Sequence, residues 1–435
     1  METDTSEAQL QVRFVTKQEQ YAVPDSPYAI QSNVQSTELN TLINALLKET
    51  DSLSKTVEFD FLVSGELLCT PLGDHLQEKG LSTEVTLEIE YLERFPAPAP
   101  QDCLMHDDWV SALQANGNWI LSGSYDNSLH IWTTKGQHKL AIPGHTSPIK
   151  AVSWVSVSGD QAVFASGSHD QSAMLWVWNV SKNSVDCVVT CRGHEKGVES
   201  LTVSADASKL ATGSWDTNIC LWSASESHLL ITYLQWFHVL GGTYCTMFDP
   251  NIFTNDIKLF ISQEPLATLK GHREAVSGVQ WMDFNTILSS GWDHLLKIWD
   301  CELNGIKQEI AGNKAFFDVD WSPLNNTIIT GSADRHVRLY DPRSQGIIVK
   351  TTFTSHTGWV QSVRWSKTRD TLFLSAGCDG QVKLWETRSP RTPLYDLTGH
   401  EDKVLCCDWS VPSLLISGSC DNTLRIFKAK TALPS

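Results

Sequence analysis

One pattern recurs seven times along the chain and limits its possible folds more than any other feature: a turn of small residues, an Asp, and an aromatic residue six positions later. The stretches are SGSYDNSLHIW (Asp126, Trp132), SGSHDQSAMLW (Asp170, Trp176), TGSWDTNICLW (Asp216, Trp222), SSGWDHLLKIW (Asp293, Trp299), TGSADRHVRLY (Asp334, Tyr340), SAGCDGQVKLW (Asp379, Trp385) and SGSCDNTLRIF (Asp421, Phe427). Successive Asp residues lie 44, 46, 77, 41, 45 and 42 positions apart. All but one interval is at or near a period of ~40–45 residues, the mark of an array of repeated supersecondary units. Upstream of most turns stands a Gly-His or a close variant: Gly144-His145, Gly193-His194, Gly271-His272, Ser355-His356 and Gly399-His400. His106 holds the matching place in the first repeat, whereas the fifth has Gly312-Asn313 and no His. A fixed aromatic position per repeat also accounts for 17 Trp in 435 residues.

Each unit has a simple physical reading. The turn Asp accepts hydrogen bonds from the backbone of its own tight turn. The residues after it alternate, as in Leu129-His130-Ile131-Trp132, which is the period of a strand with one buried face. These stretches resemble the WD-repeat family. That resemblance implies a mainly β chain whose seven blades close into a propeller without free sheet edges. It further implies one hydrogen-bonded network per blade: His106, Asp126 and Trp132; His145, Asp170 and Trp176; His194, Asp216 and Trp222; His272, Asp293 and Trp299; Asp334 without a His; His356, Asp379 and Trp385; and His400 with Asp421. Recurrence favours a structural over a catalytic role for each of these histidines. The last unit ends at Phe427, too near Ser435 to leave a fourth strand. The segment 93–105 is therefore expected to close the ring in the final blade, with Pro96, Pro98 and Pro100 keeping it short and edge-like.

The 77-residue interval holds an insertion at 223–265. Residues 229–248 carry no charge and include Tyr233, Trp236, Phe237 and Tyr244. Length alone would admit a membrane span. The position between two repeats, and the presence of Gln235, His238 and Gly241-Gly242, argue instead for a partner-binding or self-packing flap, or for an error in the predicted coding sequence.

Residues 9–92 have a different texture. QLQVRFV alternates as a strand, and residues 21–30 read as a second one broken by Pro24 and Pro27. Leu39, Leu42, Ile43, Leu46 and Leu47 fall at helical spacing within 37–47, with Ser36 or Thr37 as N-cap. EFDFLVSGELL reads as a hairpin around Ser64-Gly65, residues 74–78 as a short helical turn, 80–84 as a loop and VTLEIEYL as a final strand. This order is that of a small α+β, ubiquitin-like roll, with the propeller occupying 93–435. The charge is concentrated here. Of the net −17, residues 1–100 supply −11, from 17 Asp/Glu against 6 Lys/Arg. Such a module suits a basic partner or a metal ion better than nucleic-acid phosphate.

The combination QVRFVT, FDFLVSGELL, LGDHLQEKGLS-E and LEIEY, followed by HDDWVSAL and seven WD repeats, resembles one family: the ribosome-biogenesis WD-repeat proteins of the pescadillo–Bop–WD-repeat complex, related to notchless. The resemblance covers residues 9 to about 427 except the insertion. It implies a nucleolar and nucleoplasmic scaffold for large-subunit assembly and ribosomal RNA processing. The propeller would hold a Bop-type WD-repeat protein and pescadillo. The ubiquitin-like module would be gripped by the AAA ATPase midasin, which removes the complex from the pre-ribosome. By motif position, after Gly80-Leu81-Ser82-Thr83, Glu84 is the residue implied to complete the metal coordination of the midasin MIDAS domain, a place for a hard carboxylate oxygen on Mg2+. Relatives commonly carry a basic stretch in the insertion; here it holds only Lys258.

No G-x-G, Gly-Lys dipeptide, H-E-x-x-H or G-x-S-x-G occurs, so the usual nucleotide, metalloprotease and nucleophile-elbow motifs are absent, and no cofactor, metal of its own or enzymatic activity is expected. Eleven scattered cysteines without a C-x2-C pair read as reduced, buried thiols. Two rival readings remain. Asp341-Pro342-Arg343, with Glu386-Thr387-Arg388 as a weaker copy, matches the blade end of cullin-type ubiquitin-ligase substrate receptors, although the same tripeptide also caps ordinary blades. Residues 330–391 hold ten Lys/Arg against five Asp/Glu, a patch able to touch ribosomal RNA or to be a solvated face.

Overall fold

The structure is a computed structural model and describes residues 9–49, 56–82, 85–224, 261–344 and 349–429. The chain forms two compact units.

In the N-terminal unit, alternation along strand β1 (Gln9–Val15) buries Leu10, Val12 and Phe14 on one face. The second strand is confined to β2 (Tyr28–Gln31), because Pro24 and Pro27 cannot join a ladder; Glu19–Tyr21 is a single 3-10 turn. Helix α1 (Ser36–Glu49) buries Leu39, Ile43 and Leu47. Neither expected cap, Ser36 or Thr37, precedes it. The helix starts at Ser36, and Glu38 reaches back to accept the backbone N–H of Gln35 at 3.0 Å, the glutamate half of a capping box. One helical turn apart, Asn40 and Asn44 each bond both backbone groups of one residue across from the helix: Phe59 (2.8 and 2.6 Å) and Val57 (2.8 and 3.0 Å). Strands β3 (Phe59–Val63) and β4 (Glu66–Leu67) meet at Ser64 and Gly65, with φ of 51° and 77°, as a two-residue turn matched to strand twist requires. Helix α2 (Leu72–Lys79) and β5 (Leu87–Glu93) complete the unit. The sheet order is β2-β1-β5-β3-β4, with β1 and β5 parallel and the other pairs antiparallel.

The second unit is the seven-bladed propeller. Blades one, two, four, five and six run through residues 110–143, 149–192, 276–311, 316–353 and 360–397, each a four-strand meander. Blade three joins 198–223 to Ala267–Lys270, and blade two gains a fifth strand, Ile261–Gln263, parallel to residues 189–191. Thus the chain after the long insertion first lies along blade two and then completes blade three. Blade seven (404–428) takes Ala99–Met105 as its outer strand, with Leu104 opposite Leu424. Closure comes from within the expected 93–105 segment but begins only at Ala99, since Glu93 ends β5.

Neighbouring blades approach closely where glycine follows the first small residue of the repeat turn, as it does in five of the seven repeats; blades four and six carry Ser290 and Ala376 there. A Cβ on Gly123, Gly167, Gly213 or Gly418 would stand 2.5–2.7 Å from Ile149, Val198, Val276 or Val110 of the next blade's inner strand. A methyl group there would push the blades apart. The ten described cysteines are all free thiols. Among the described residues, no helix is long and apolar enough to cross a membrane.

Candidate functional site

Five blades carry the same chain of bonds. His145, His194, His272, His356 and His400 bond through Nδ1 to Asp170, Asp216, Asp293, Asp379 and Asp421 at 2.7–2.9 Å. Their Nε2 atoms meet the hydroxyls of Ser166, Thr212, Ser289, Ser375 and Ser417 at 2.7–2.8 Å. In blades two to four the same hydroxyl accepts the indole N–H of Trp176, Trp222 or Trp299 at 2.8 Å. Each Asp also accepts the backbone N–H that follows its His and the N–H two residues beyond itself; in blade four these come from Arg273 (2.9 Å) and Leu295 (3.2 Å). The residue after every turn Asp is left-handed, with φ between 63° and 74°. The Ser–His–Asp order resembles that of a nucleophilic triad. Its chemistry is different, because Ser166, Thr212 and Ser289 are fully buried and already bonded to indole, so no substrate can reach the hydroxyl. Glycine belongs before the His because a Cβ on Gly144 or Gly271 would lie 2.4 or 2.9 Å from the indole of Trp176 or Trp299.

Blades one and five depart from this scheme, and blade seven keeps its His–Asp–Ser bonds but changes the aromatic residue. His106 meets Ser122 (2.8 Å), which also accepts the Trp132 N–H (3.0 Å), but His106 does not reach Asp126. Asp126 instead accepts from the backbone and hydroxyl of Ser128, and the His130 ring stands 4.8 Å from that of His106. Burial, with His130 adjacent, pushes His106 down to about 3. In blade five Asp334 pairs with Arg338 at 2.5 Å, and Tyr340 replaces Trp in the core. In blade seven Phe427 takes the aromatic place and is buried. Trp385 of blade six is fully buried.

Glu84 lies outside the described residues, as does most of the 223–265 insertion. What precedes Glu84 is defined: α2 ends at Gly80, which is left-handed (φ 62°) and closes the helix, and Leu81 returns to the core of the unit.

The central channel of the propeller opens between two half-buried ion pairs. Lys150 reaches Glu199 at 3.1 Å and the Tyr125 hydroxyl at 3.3 Å. Glu199 also accepts from His169 (3.1 Å) and the Trp215 indole (2.8 Å). Burial alone would raise Glu199, but Lys150 and these donors hold it at about 2. Across the channel Arg364 pairs with Asp318 at 2.5 Å, which further accepts from Ser362 and the Val363 N–H; burial raises Asp318 even so. Around this mouth runs an arc of rings, one from each of blades two to six. His169, Trp215, Trp292, Phe317 and Trp359 follow one another at centroid distances of 6.2, 4.7, 6.2 and 5.6 Å. Trp109 and Tyr125 add a further pair from blade one at 5.1 Å.

Five of the ten cations in the basic run 330–391 are paired at home. Arg338 pairs with Asp334, Arg343 with Asp341, Arg364 with Asp318, Lys383 with Asp396 and Arg388 with Glu386. Arg343 also approaches the Asn325 carbonyl (3.4 Å), so Asp341-Pro342-Arg343 is engaged in holding its own blade end. Sequence reasoning passed over the buried hydroxyl four residues before each turn Asp, although it opens every repeat stretch quoted above as Ser or Thr. It also passed over the aromatic arc, whose signal was Tyr125, His169, Trp215 and Trp292 filling the variable position just before the Asp.

Comparison with known proteins agrees with this architecture. The family described as the NLE (NUC135) domain matches residues 10–76. The family described as WD domain, G-beta repeat, matches 100–133, 136–177, 185–223, 263–300, 306–341, 348–386 and 391–428. The ribosome biogenesis protein WDR12 homolog of Culex quinquefasciatus is 52% identical over 434 residues, covering 99% of this chain and 98% of the relative. The Aedes aegypti homolog is 52% identical with the same coverage, and that of Drosophila sechellia is 54% identical, covering 100% and 98%. With both modules matched and identity above half along its whole length, the chain belongs to the WDR12 family of ribosome biogenesis proteins.

Proposed function

We propose that this protein is a non-catalytic scaffold in large ribosomal subunit assembly and ribosomal RNA processing, working in the nucleolus and nucleoplasm. The observation that carries this reading is the full-length likeness to proteins named for ribosome biogenesis. The propeller bridges a Bop-type WD-repeat protein and pescadillo, and the ubiquitin-like module docks on midasin for release from the pre-ribosome. Glu84 supplies the carboxylate that fills an open position on the Mg2+ of the MIDAS domain. Its place after a helix closed by Gly80, on a front end of net charge −11, supports that role. The test is binding of the full chain to the midasin MIDAS domain with and without Mg2+. Wild type is expected to bind only with Mg2+, and Glu84→Ala to lose that binding while the propeller stays folded. Equal binding by the variant would remove Glu84 from the role.

A further inference from the structure

We propose that the strand closing the propeller ring, Ala99–Met105, is a mechanical release: tension on the N-terminal unit peels it from blade seven before either unit unfolds. The proposal rests on the reading of the N-terminal unit as the part an ATPase grips, and adds what the propeller does when that unit is pulled.

Connectivity sets the path of the load. Five residues separate Glu93, the end of β5, from Ala99, so the covalent path of a pull on the N-terminal unit enters the propeller at Ala99. Glu84 stands three residues before β5, and a grip there loads β5 directly. That strand is held on both sides, by β1 and β3. A pull from the start of the chain instead loads β1 against β5. These two are parallel neighbours, with Val12 opposite Leu87 and Val15 opposite Glu90. Drawing their opposite ends apart strains the bonds of the ladder together. The same unit keeps Leu39, Ile43, Phe59 and Tyr91 fully buried in its core.

The closing strand is built the other way. It runs antiparallel to Thr423–Lys428, with Ala99 opposite Lys428 and Met105 opposite Thr423. The end that takes the load is the end where the partner strand leaves toward the C-terminus. A pull between the chain ends therefore opens this ladder bond by bond, as a hairpin opens from its free end. Side chains add little. Of its seven residues only Leu104 is buried, whereas the outer strand of blade two, Ser184–Arg192, buries three. Pro100 offers no N–H, and the register shifts between Ile426 and Phe427. Gln101 contributes one bond, to the Thr134 carbonyl of blade one at 3.1 Å. Peeling stops beyond Met105, because blades seven and one are also joined without this strand. Asp408 accepts the Ala115 N–H at 2.9 Å, and Val110 packs against Gly418. The pulled propeller keeps its ring while blade seven is left with three strands and an open edge. A pull thus changes the propeller itself instead of only dragging it.

The experiment holds the full chain by its two ends in an optical trap. The expected first event is short, about 25 Å for a seven-residue strand drawn out, reverses on relaxation, and comes at lower force than any other. Leu104→Ala is expected to speed that event at least about tenfold at a given force, because it removes the one buried side chain. Arg425→Cys, oxidised onto the facing Cys103 and confirmed by mass, is expected to abolish the event, and reduction to restore it. Unfolding that starts with the N-terminal unit or with a whole blade, a rate indifferent to Leu104→Ala, or a short event that survives the oxidised cross-link would each overturn the proposal. A second arm measures Mg2+-dependent binding of the wild type to the midasin MIDAS domain. Absence of binding would sink the handle reading and leave the release strand standing. Binding, together with a whole blade unfolding first in the trap, would sink only the release strand.

Discussion

Replacing Asp293 by Ala tests whether the repeat turns are held by their buried bonds or by the packing of the blades. The carboxylate accepts from His272 Nδ1 (2.9 Å), the Arg273 N–H (2.9 Å) and the Leu295 N–H (3.2 Å), and its side chain is 3% exposed. Ala leaves His272 Nδ1 buried without a partner and the Leu295 N–H partly so, at about 1–3 kcal/mol for the first and less for the second, while water can reach the exposed Arg273 N–H, so about 2–4 kcal/mol of stability should be lost. Asp334 occupies the same turn in blade five without a His, and its main partner is Arg338. Asp334→Ala should therefore cost only about 1–2 kcal/mol. Urea unfolding followed by tryptophan fluorescence measures both. Amide exchange at Arg273 and Leu295 reports the local opening expected only in the first variant. Equal losses for the two substitutions, or unchanged exchange at Arg273, would refute the argument and assign the turn's stability to blade packing.

Acid should weaken the propeller in two steps. Folded His106 titrates at about 3, below its ordinary 6.5, so the stability it favours is full above pH 6.5 and declines as pH falls toward 3; His106→Gln should flatten that part of the unfolding midpoint against pH. Asp379 and Asp421 are held at about 2 despite burial, by their histidines and neighbouring donors, so their contribution is full above the ordinary 3.8 and is lost as pH falls through 2. Midpoints independent of pH from 7 to 3 would contradict both assignments. Thr217 is β-branched yet holds φ at 74°. Thr217→Asn should raise stability by about 0.5–1 kcal/mol in thermal unfolding, and a loss would mean that its methyl packing outweighs the strain.

The repeats were legible in the sequence because each blade is a local object. The turn Asp, the His some 20 residues before it and the aromatic six after it belong to one meander, so their spacing survives in linear order. The strand pattern of the N-terminal unit was readable for the same reason, down to the Ser64-Gly65 turn, whereas the cap of α1 was not, because it depends on Glu38 reaching back rather than on the residue in front. Only tertiary structure decided what lies between blades. His106 has the right neighbours in sequence, but His130 packed beside it accompanies a different bonding pattern. Which cations of the basic run 330–391 are paired was likewise decided by tertiary structure, as with Asp318 for Arg364. The aromatic arc joins residues from five blades, up to 190 positions apart, so no local period records it. Ring closure brings them together, since each turn ends at the same mouth of the channel.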